Sequence, residues 1–375
     1  MTVEISELFN LTAQKNASDL LLTAGVPPVL RIHGSLQQTD YPKLTPSEVK
    51  RLVFSLLNEQ QRMQYEQEKE LDLSLGVGDE HRFRVNVYMQ KGSVAAAFRP
   101  IPSVIPKLKE LGLPPLAYDI SFLPHGLILV TGPTGHGKST TLASMIDLIN
   151  TNKKCHIISI EDPIEYIHHH KNSIVDQREL GGDTLSFARA LKYVLRQDPD
   201  VILVGEMRDL DTIAAALTAA ETCHLVLTTL HTNDAVQTID RVIDVFPERQ
   251  QQQVRVQLSL SLVAVLSQRL LPKAAGGGRV LAVEILRNTH SSANLIREGK
   301  TYQLYSVIET GTKDGMCTMD SSLIRLYQRG LITMEEAQNH MRNPQAILDA
   351  ALKEAQGTPR EEEAKSGLSR MWTKT

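Results

Sequence analysis

The spacing of apolar positions changes character along the chain. Ile5 to Lys15 carries Leu8 and Leu11 at helical spacing, and Leu20-Leu21-Leu22 is a short apolar run directly after Ser18-Asp19. Pro27-Pro28 excludes helix, so Val29 to Ile32 reads as a strand ahead of the His33-Gly34 turn. Ser47 to Glu70 has helical periodicity and high charge. Leu71 to Leu75, Phe83 to Met89 and Val94 to Phe98 follow the alternation of half-buried strands. These elements predict a small α+β domain over residues 1–99. Prolines at 100, 102, 106, 114 and 115 then mark 100–119 as a linker.

From residue 120 to 290 unbroken apolar runs alternate with helical stretches. Leu127 to Val130, Ile157 to Ile160, Val201 to Val204 and Leu225 to Leu230 predict strands. Ser139 to Asn150, Asp183 to Arg196, Asp211 to Thr222 and Gln250 to Leu270 predict helices. Repeated β-α units with fully apolar strands imply an α/β domain whose parallel sheet is covered on both faces. Ala274 to Gly278 reads as a loop and 292–355 as helices, so this second domain runs over 120–356. The tail 357–375 is charged, with Glu361-Glu362-Glu363, and is expected to be disordered.

The sharpest chemical signal lies between the first apolar strand and the first helix of that domain. Gly132-Pro133-Thr134-Gly135-His136-Gly137-Lys138-Ser139 satisfies the phosphate-loop pattern G-x-x-x-x-G-K-[ST], with Thr140 following. A helix N-terminus leaves backbone N–H groups unpaired and favours an anion. Glycines let the loop wrap phosphates without Cβ clashes. Lys138, expected to face solvent when no phosphate is bound, would pair the β- and γ-phosphates, and Ser139 would ligate Mg²⁺. ATP with Mg²⁺ is therefore the predicted ligand.

Other groups leave alternatives open. Val201 to Glu206 is an apolar strand ending in an acid, the type of residue that lies beside Mg²⁺ in phosphate-loop enzymes; Asp200 is the weaker candidate. Glu161, Asp162 and Glu165 cluster at a second strand end, and either Glu165 or Glu161 suits a general base. His224 and His231 flank one strand at opposite ends, so a shared metal is not expected. His168-His169-His170 reads as a solvated loop. Arg82 and Arg84 share a strand face, and an arginine delivered by a neighbouring subunit can stabilise transition-state charge, but from the residues alone a salt-bridged surface strand is the better explanation.

Composition removes several classes. The 375 residues carry a formal net charge of -3, so no global basic field points to nucleic acid. There is no run of 18 apolar residues to span a membrane and no signal-peptide pattern at the N-terminus. Cys155, Cys223 and Cys317 form no C-x-x-C pair, which fits a reducing, cytoplasmic compartment.

Taken in order, the motifs resemble those of the PilT-type retraction ATPases of bacterial type IV pili, within the secretion-ATPase superfamily. The resemblance covers the chain to about residue 355. It rests on Ser18-Asp-Leu with Gly25-Val-Pro-Pro, the phosphate loop, the aspartate box Glu161-Asp-Pro-Ile-Glu-Tyr166, and Leu195-Arg-Gln-Asp-Pro-Asp200 running into Gly205-Glu-Met-Arg-Asp209. It rests further on the histidine box, Thr222-Cys-His-Leu-Val to Thr229-Leu-His-Thr, and on Leu295-Ile-Arg-Glu298. It implies a PAS-like N-terminal domain, a RecA-like ATPase domain and a homo-hexameric ring with ATP at subunit boundaries. It implies Glu165 as base, Glu206 in the Walker B role, His224 and His231 as site residues, and Arg82, Arg84 and Arg99 reaching the phosphates from the N-terminal domain. Leu295, Ile296, Arg297 and Glu298 match a motif tied to retraction. The implied partners are an inner-membrane pilus platform protein (PilC-like) and a second retraction ATPase, with the ring peripheral at the membrane base of the machine. Three positions depart from the family pattern: His136 stands where serine is usual, Cys223 where glycine is usual, and Leu295 where alanine is usual.

Overall fold

The computed structural model describes residues 3–77 and 81–348; the charged tail 357–375 lies outside the described residues. The chain forms two compact units, Met1–Pro106 with Asn150–Ala190, and Lys107–Ile149 with Leu191–Thr375.

In chain order the first stretch holds α1 (Ile5–Gln14), β1 (Asp19–Leu22), β2 (Val29–Ile32), β3 (Ser35–Gln38), α2 (Pro46–Phe54), α3 (Glu59–Glu68), β4 (Glu70–Val77), β5 (His81–Gln90) and β6 (Ser93–Ile101). The expected helix over 47–70 is two helices, because Asn58 caps α3 by accepting from the Gln61 N–H and so interrupts the run. The strands form one antiparallel sheet in the order β3-β2-β1-β6-β5-β4. Its core is aromatic at the centre: Phe9 of α1 stacks on Phe83 with ring centroids 4.3 Å apart and meets Phe98 edge-on at 5.3 Å. Strand β6 runs through Pro100 to Ile101, past the expected domain end.

Further along come α4 (Pro115–Ile120), β7 (Gly126–Thr131), α5 (Lys138–Asn152), β8 (His156–Glu161), β9 (Ile174–Glu179), α6 (Phe187–Val194), β10 (Val201–Val204), α7 (Leu210–Glu221) and β11 (Leu225–Leu230). Then follow α8 (Ala235–Asp244), α9 (Glu248–Ser261), β12 (Leu262–Pro272), β13 (Arg279–Arg287), α10 (His290–Arg297), α11 (Leu304–Thr310), α12 (Met319–Gln328) and α13 (Met334–Gln338). In the first unit β8 and β9 pair in parallel. Within the second unit the strand order is β13-β12-β7-β11-β10, with β10, β11, β7 and the start of β12 parallel. Every residue of β7, β10 and β11 is buried, as a sheet covered on both faces requires.

A second predicted element is corrected. The helix expected over 250–270 ends at Ser261, and the chain passes straight into β12 at Leu262, which has extended backbone. A fully buried strand and a buried helix have the same unbroken apolar signature, so periodicity does not separate them. Pairing with β7 decides for strand. The partner strand β13 lay inside a region with no element assigned; it pairs antiparallel with β12 from Ala264↔Arg287 to Pro272↔Arg279. Helices α12 and α13 cover the hairpin through Leu271, Ala282, Leu323, Leu326, Ile332 and Ala337.

Gly126 begins β7 at φ +120, where an added Cβ would lie 2.5 Å from Val263 Cγ2 and 3.0 Å from the Ser261 carbonyl oxygen. Gly276, in the β12–β13 turn at φ +74, has nothing within 4 Å of such a Cβ. Urea unfolding of Gly276→Ala should show a loss of about 1 kcal/mol from backbone strain alone. Gly126→Ala should lose about 3 kcal/mol, since a β-branched neighbour cannot yield freely. Equal losses would show that the Val263 contact does not constrain the sheet.

Candidate active site

The sequence-predicted site residues fall in both compact units. In the second unit, β7 ends at Thr131, whose hydroxyl lies 2.9 Å from that of Ser267 on β12. The chain then leaves the sheet at Gly132, at φ +137, where a Cβ would sit 2.3 Å from the Gln268 carbonyl oxygen. Glycine is required there on both counts. Gly135 and Gly137 also have positive φ, and helix α5 opens at Lys138. Its first turn is closed by Thr141 N–H donating to the Gly137 carbonyl at 2.9 Å.

Lys138 does not face solvent as expected from sequence: it is 7% exposed. Its Nζ donates to the carbonyls of Gly132 at 2.8 Å and Pro133 at 3.0 Å, so the ammonium lies across the mouth of its own loop. An isolated buried charge is costly, and these carbonyls satisfy it. Ser139 and Thr140 are half-buried behind it.

His231 stands at the C-terminal end of β11, on the same side as the loop. Its Nδ1 lies 3.4 Å from both Lys138 Nζ and Thr134 Oγ1, and its Nε2 lies 3.2 Å from Glu206 Oε1. The other Glu206 oxygen accepts from Arg208 at 2.8 Å. The Glu206 turn is itself held to β11, with Thr229 Oγ1 donating to the Gly205 carbonyl at 2.6 Å. Partial burial would raise the Glu206 pKa, but the hydrogen bond to Arg208 and the His231 charge outweigh it and hold the carboxyl below its ordinary range. The structure thus brings Lys138, His231 and Glu206 together. It does not bring His224 to them: that residue precedes β11, where its carbonyl accepts from the Gly126 N–H at the start of β7 and its Nδ1 lies 3.1 Å from the Ala219 carbonyl. Cys223 beside it has φ +68, the left-handed region that a glycine would occupy without strain.

In the first unit, the chain leaves β8 at Glu161 and turns through Asp162 to Glu165. Glu161 is buried, and its Oε1 accepts from Ser159 Oγ at 2.6 Å and Gln177 Nε2 at 3.3 Å. Its Oε2 accepts from the Glu165 N–H at 3.3 Å. Burial pushes the Glu161 carboxyl above its ordinary range despite those bonds. Glu165 is exposed. The two glutamates that sequence could not rank therefore differ in kind: one is a buried clamp on the turn, the other is presented by it. A second buried acid, Glu179, accepts from Ile164 N–H at 3.2 Å, Ser74 Oγ at 2.8 Å and Arg82 at 3.2 Å. Arg82 is half-buried in that cluster. Arg84 is exposed and sits opposite Arg99 in the β5–β6 register, while Arg99 pairs with Asp19 at 2.8 Å. Of the histidine triplet, His168 is buried rather than solvated, and its backbone N–H donates to Gln177 Oε1 at 2.8 Å. No trio of His, Cys, Asp or Glu suited to a metal occurs among the described residues.

The stretch 295–298 closes α10. Ile296 is buried, Leu295 and Arg297 are half-buried, and Glu298 is exposed and paired with Lys300 at 2.8 Å. The Arg297 carbonyl accepts from Gln252 of α9 at 3.3 Å.

Sequence reading missed three participants. Arg208 has no role marked by its motif, yet it is an adjacent counter-charge for Glu206. Arg279, which donates to the Gly135 carbonyl at 2.9 Å, and Leu270, whose N–H donates to His136 Nδ1 at 3.0 Å, lie over 130 residues from the loop in sequence. Only the hairpin topology places them there.

A parallel strand, a glycine loop and a helix N-terminus carrying a buried lysine, with a strand-end glutamate beside it, define a phosphate-loop ATPase. The model of the type II/IV secretion system protein family matches residues 30–364, and the chain belongs to that family. It is 49% identical over 343 residues, 92% of this chain and 99% of the other, to a protein of Pseudomonas aeruginosa named type IV pilus retractation ATPase PilT. It is 43% identical over 90% of its length, and 88% of the other's, to type IV pilus ATPase PilU of the same organism. A solved structure of the pilus retraction motor PilT with bound ADP superposes with TM-score 0.85 at 52% identity, covering 92% of this chain and 98% of that one. Among the described residues no helix is long and apolar enough to cross a membrane.

The raised Glu161 pKa has a signed consequence. A carboxyl held above its unfolded value contributes stability that is full below the unfolded pKa and is lost as pH rises through the folded pKa. The melting temperature of the parent should therefore fall more than that of Glu161→Gln as pH rises from about 5 to about 8, upward from the ordinary carboxylate range. Parallel curves from thermal melts of the two proteins would show that Glu161 ionises freely.

Proposed function

We propose that the chain is an ATP-hydrolysing motor that works as a homo-hexameric ring and powers retraction of a type IV pilus. The observation that carries this reading is the near full-length identity to a protein named for retraction, joined to an intact phosphate loop. ATP entering the loop would draw Lys138 off the Gly132 and Pro133 carbonyls onto the β- and γ-phosphates, exchanging two neutral acceptors for charged ones. The hydroxyl of Ser139 and the carboxylate of Glu206 are hard oxygen donors of the kind Mg²⁺ takes. Ser139 would hold the ion directly and Glu206 through water, and the ion would neutralise charge on the phosphates.

Glu165 is the base in this reading. Its exposure leaves the carboxylate available to a water, and the bond from its own N–H to Glu161 fixes its place on the turn. Glu161 acts through Glu165 as a positioning residue. Arg84 and Arg99 serve from the neighbouring subunit, where a guanidinium stabilises charge on the leaving phosphate. Arg82, held by Ser74 and Glu179, shapes the same sheet face. His231, between Glu206 and Lys138, is placed to respond to the phosphate. The ring works at the cytoplasmic base of the pilus against an inner-membrane platform protein, with a second retraction ATPase as a further partner. A PilU-type accessory role is the second reading, favoured by the 43% identity to that relative.

Deleting the gene in its host tests both readings. Excess surface pili with lost twitching supports a principal retraction motor, weakened retraction under load an accessory one, and bald cells would overturn retraction altogether. In purified protein, Lys138→Ala should abolish hydrolysis with the fold retained, seen by activity and circular dichroism together. Glu165→Gln should bind ATP near parent affinity and turn it over at least about 100-fold more slowly, as loss of a general base does; hydrolysis at the parent rate would move the base elsewhere.

The stretch 295–298 generates a separate expectation. Ile296 anchors α10, while the guanidinium of the half-buried Arg297 makes a long contact to Asn294 at 3.4 Å. Arg297→Ala should leave assembly and ATPase activity within about twofold of parent, as surface changes away from buried contacts do, and should stop twitching. Activity and motility falling together would make the stretch part of the catalytic or assembly structure.

A further inference from the structure

Strand β7 stops at Thr131, opposite Ser267, but β12 continues to Pro272. Along that extension β13 remains paired on one side, with Leu270 opposite Leu281. On the other side the phosphate loop takes the place of a strand. The Gly132 backbone lies against the Gln268 carbonyl, and a Cβ at Gly137 would touch Leu270 Cδ1 at 3.4 Å. Between them the Leu270 N–H, which has lost its β7 acceptor, donates to His136 Nδ1 at 3.0 Å. Arg279 of β13 closes over the next loop residue by donating to the Gly135 carbonyl at 2.9 Å.

We propose that His136 is a positioning residue for nucleotide binding: its ring nitrogen substitutes for a strand carbonyl and holds the outer turn of the phosphate loop against β12. The phosphate-loop pattern leaves this position unspecified, and the sequence assigned it no more than a backbone N–H. The bond requires the neutral ring with its proton on Nε2, because a protonated Nδ1 would set one donor against another. The surroundings favour that form. Burial, then Arg269 of β12, Arg279 of β13, Lys138 of α5 and His340 beyond α13, all lower the His136 pKa. Neutral His136 is therefore held above its folded pKa, and the tether is lost as pH falls through it.

The inference rests on reading the loop as the nucleotide site, so its test carries a control for that reading. Affinity for a fluorescent ADP analogue with Mg²⁺ is measured from pH 5 to 8, on the order of the ordinary histidine range, for the parent, His136→Asn, His136→Leu and Lys138→Ala. Asn presents its Oδ1 where His136 presents Nδ1 and does not titrate; Leu has no acceptor. At the alkaline end His136→Asn should bind within about twofold of parent and His136→Leu about tenfold more weakly, the scale of one orphaned buried N–H. The parent's affinity should fall more steeply toward acid than that of His136→Asn. Parent-like binding by His136→Leu, or superimposable pH profiles for the parent and His136→Asn, would overturn the proposal. The profile comparison decides the matter if His136→Leu fails to fold by circular dichroism. Undiminished binding by Lys138→Ala would instead overturn the reading of the loop itself.

Discussion

The approach of Gly132 to the Gln268 carbonyl constrains everything at the phosphate end of the second unit. A Cβ at Gly132 would lie 2.3 Å from that oxygen, so the chain can leave β7 only through a glycine. That exit brings the loop against β12, which fixes where Gly137 and His136 lie and where α5 begins. The start of α5 in turn sets Lys138 across the Gly132 and Pro133 carbonyls. An ammonium already desolvated and held by neutral acceptors is prepared for phosphate, since charged oxygens bind it more strongly than carbonyls do.

Buried carboxylates in this protein organise backbone. Glu161 and Glu179 hold N–H groups of the turn that presents Glu165, and Glu284 does the same for two helix starts by accepting from Ala235 and Met319. Burial raises the pKa of both Glu161 and Glu284. Such groups are withdrawn from solvent and act as clamps, because each unpaired N–H they satisfy would otherwise cost about 1–3 kcal/mol. The exposed Glu165 is the complementary case.

Some of the site was legible early because its chemistry is local. The phosphate loop binds through consecutive residues, so pattern and position coincide. Glu206 stands out by the same logic, as an acid at the end of an apolar strand. Ranking Glu161 against Glu165 was not possible, since burial depends on Ser159, Gln177 and the packing of β9, none of which shows in the motif. Lys138 was expected outside and lies inside for a related reason: its acceptors are main-chain carbonyls, which every residue has and no sequence pattern marks. The strand character of 262–272 was hidden because a run buried on both faces loses the periodicity that distinguishes strand from helix.

The amino-acid order by itself determined the class of protein: the β-α alternation, the loop that takes phosphates and the motifs that place it among secretion ATPases. Those features repeat at short range, where spacing along the chain equals spacing in the fold. Only the tertiary structure decided what the loop rests on. Leu270, Gln268 and Arg279 reach it because β12 outruns β7 and pairs with β13, and that register follows from which strands meet, not from neighbours in sequence. The role of His136 belongs to the same category, since an imidazole becomes a substitute carbonyl only where a strand edge has lost its partner.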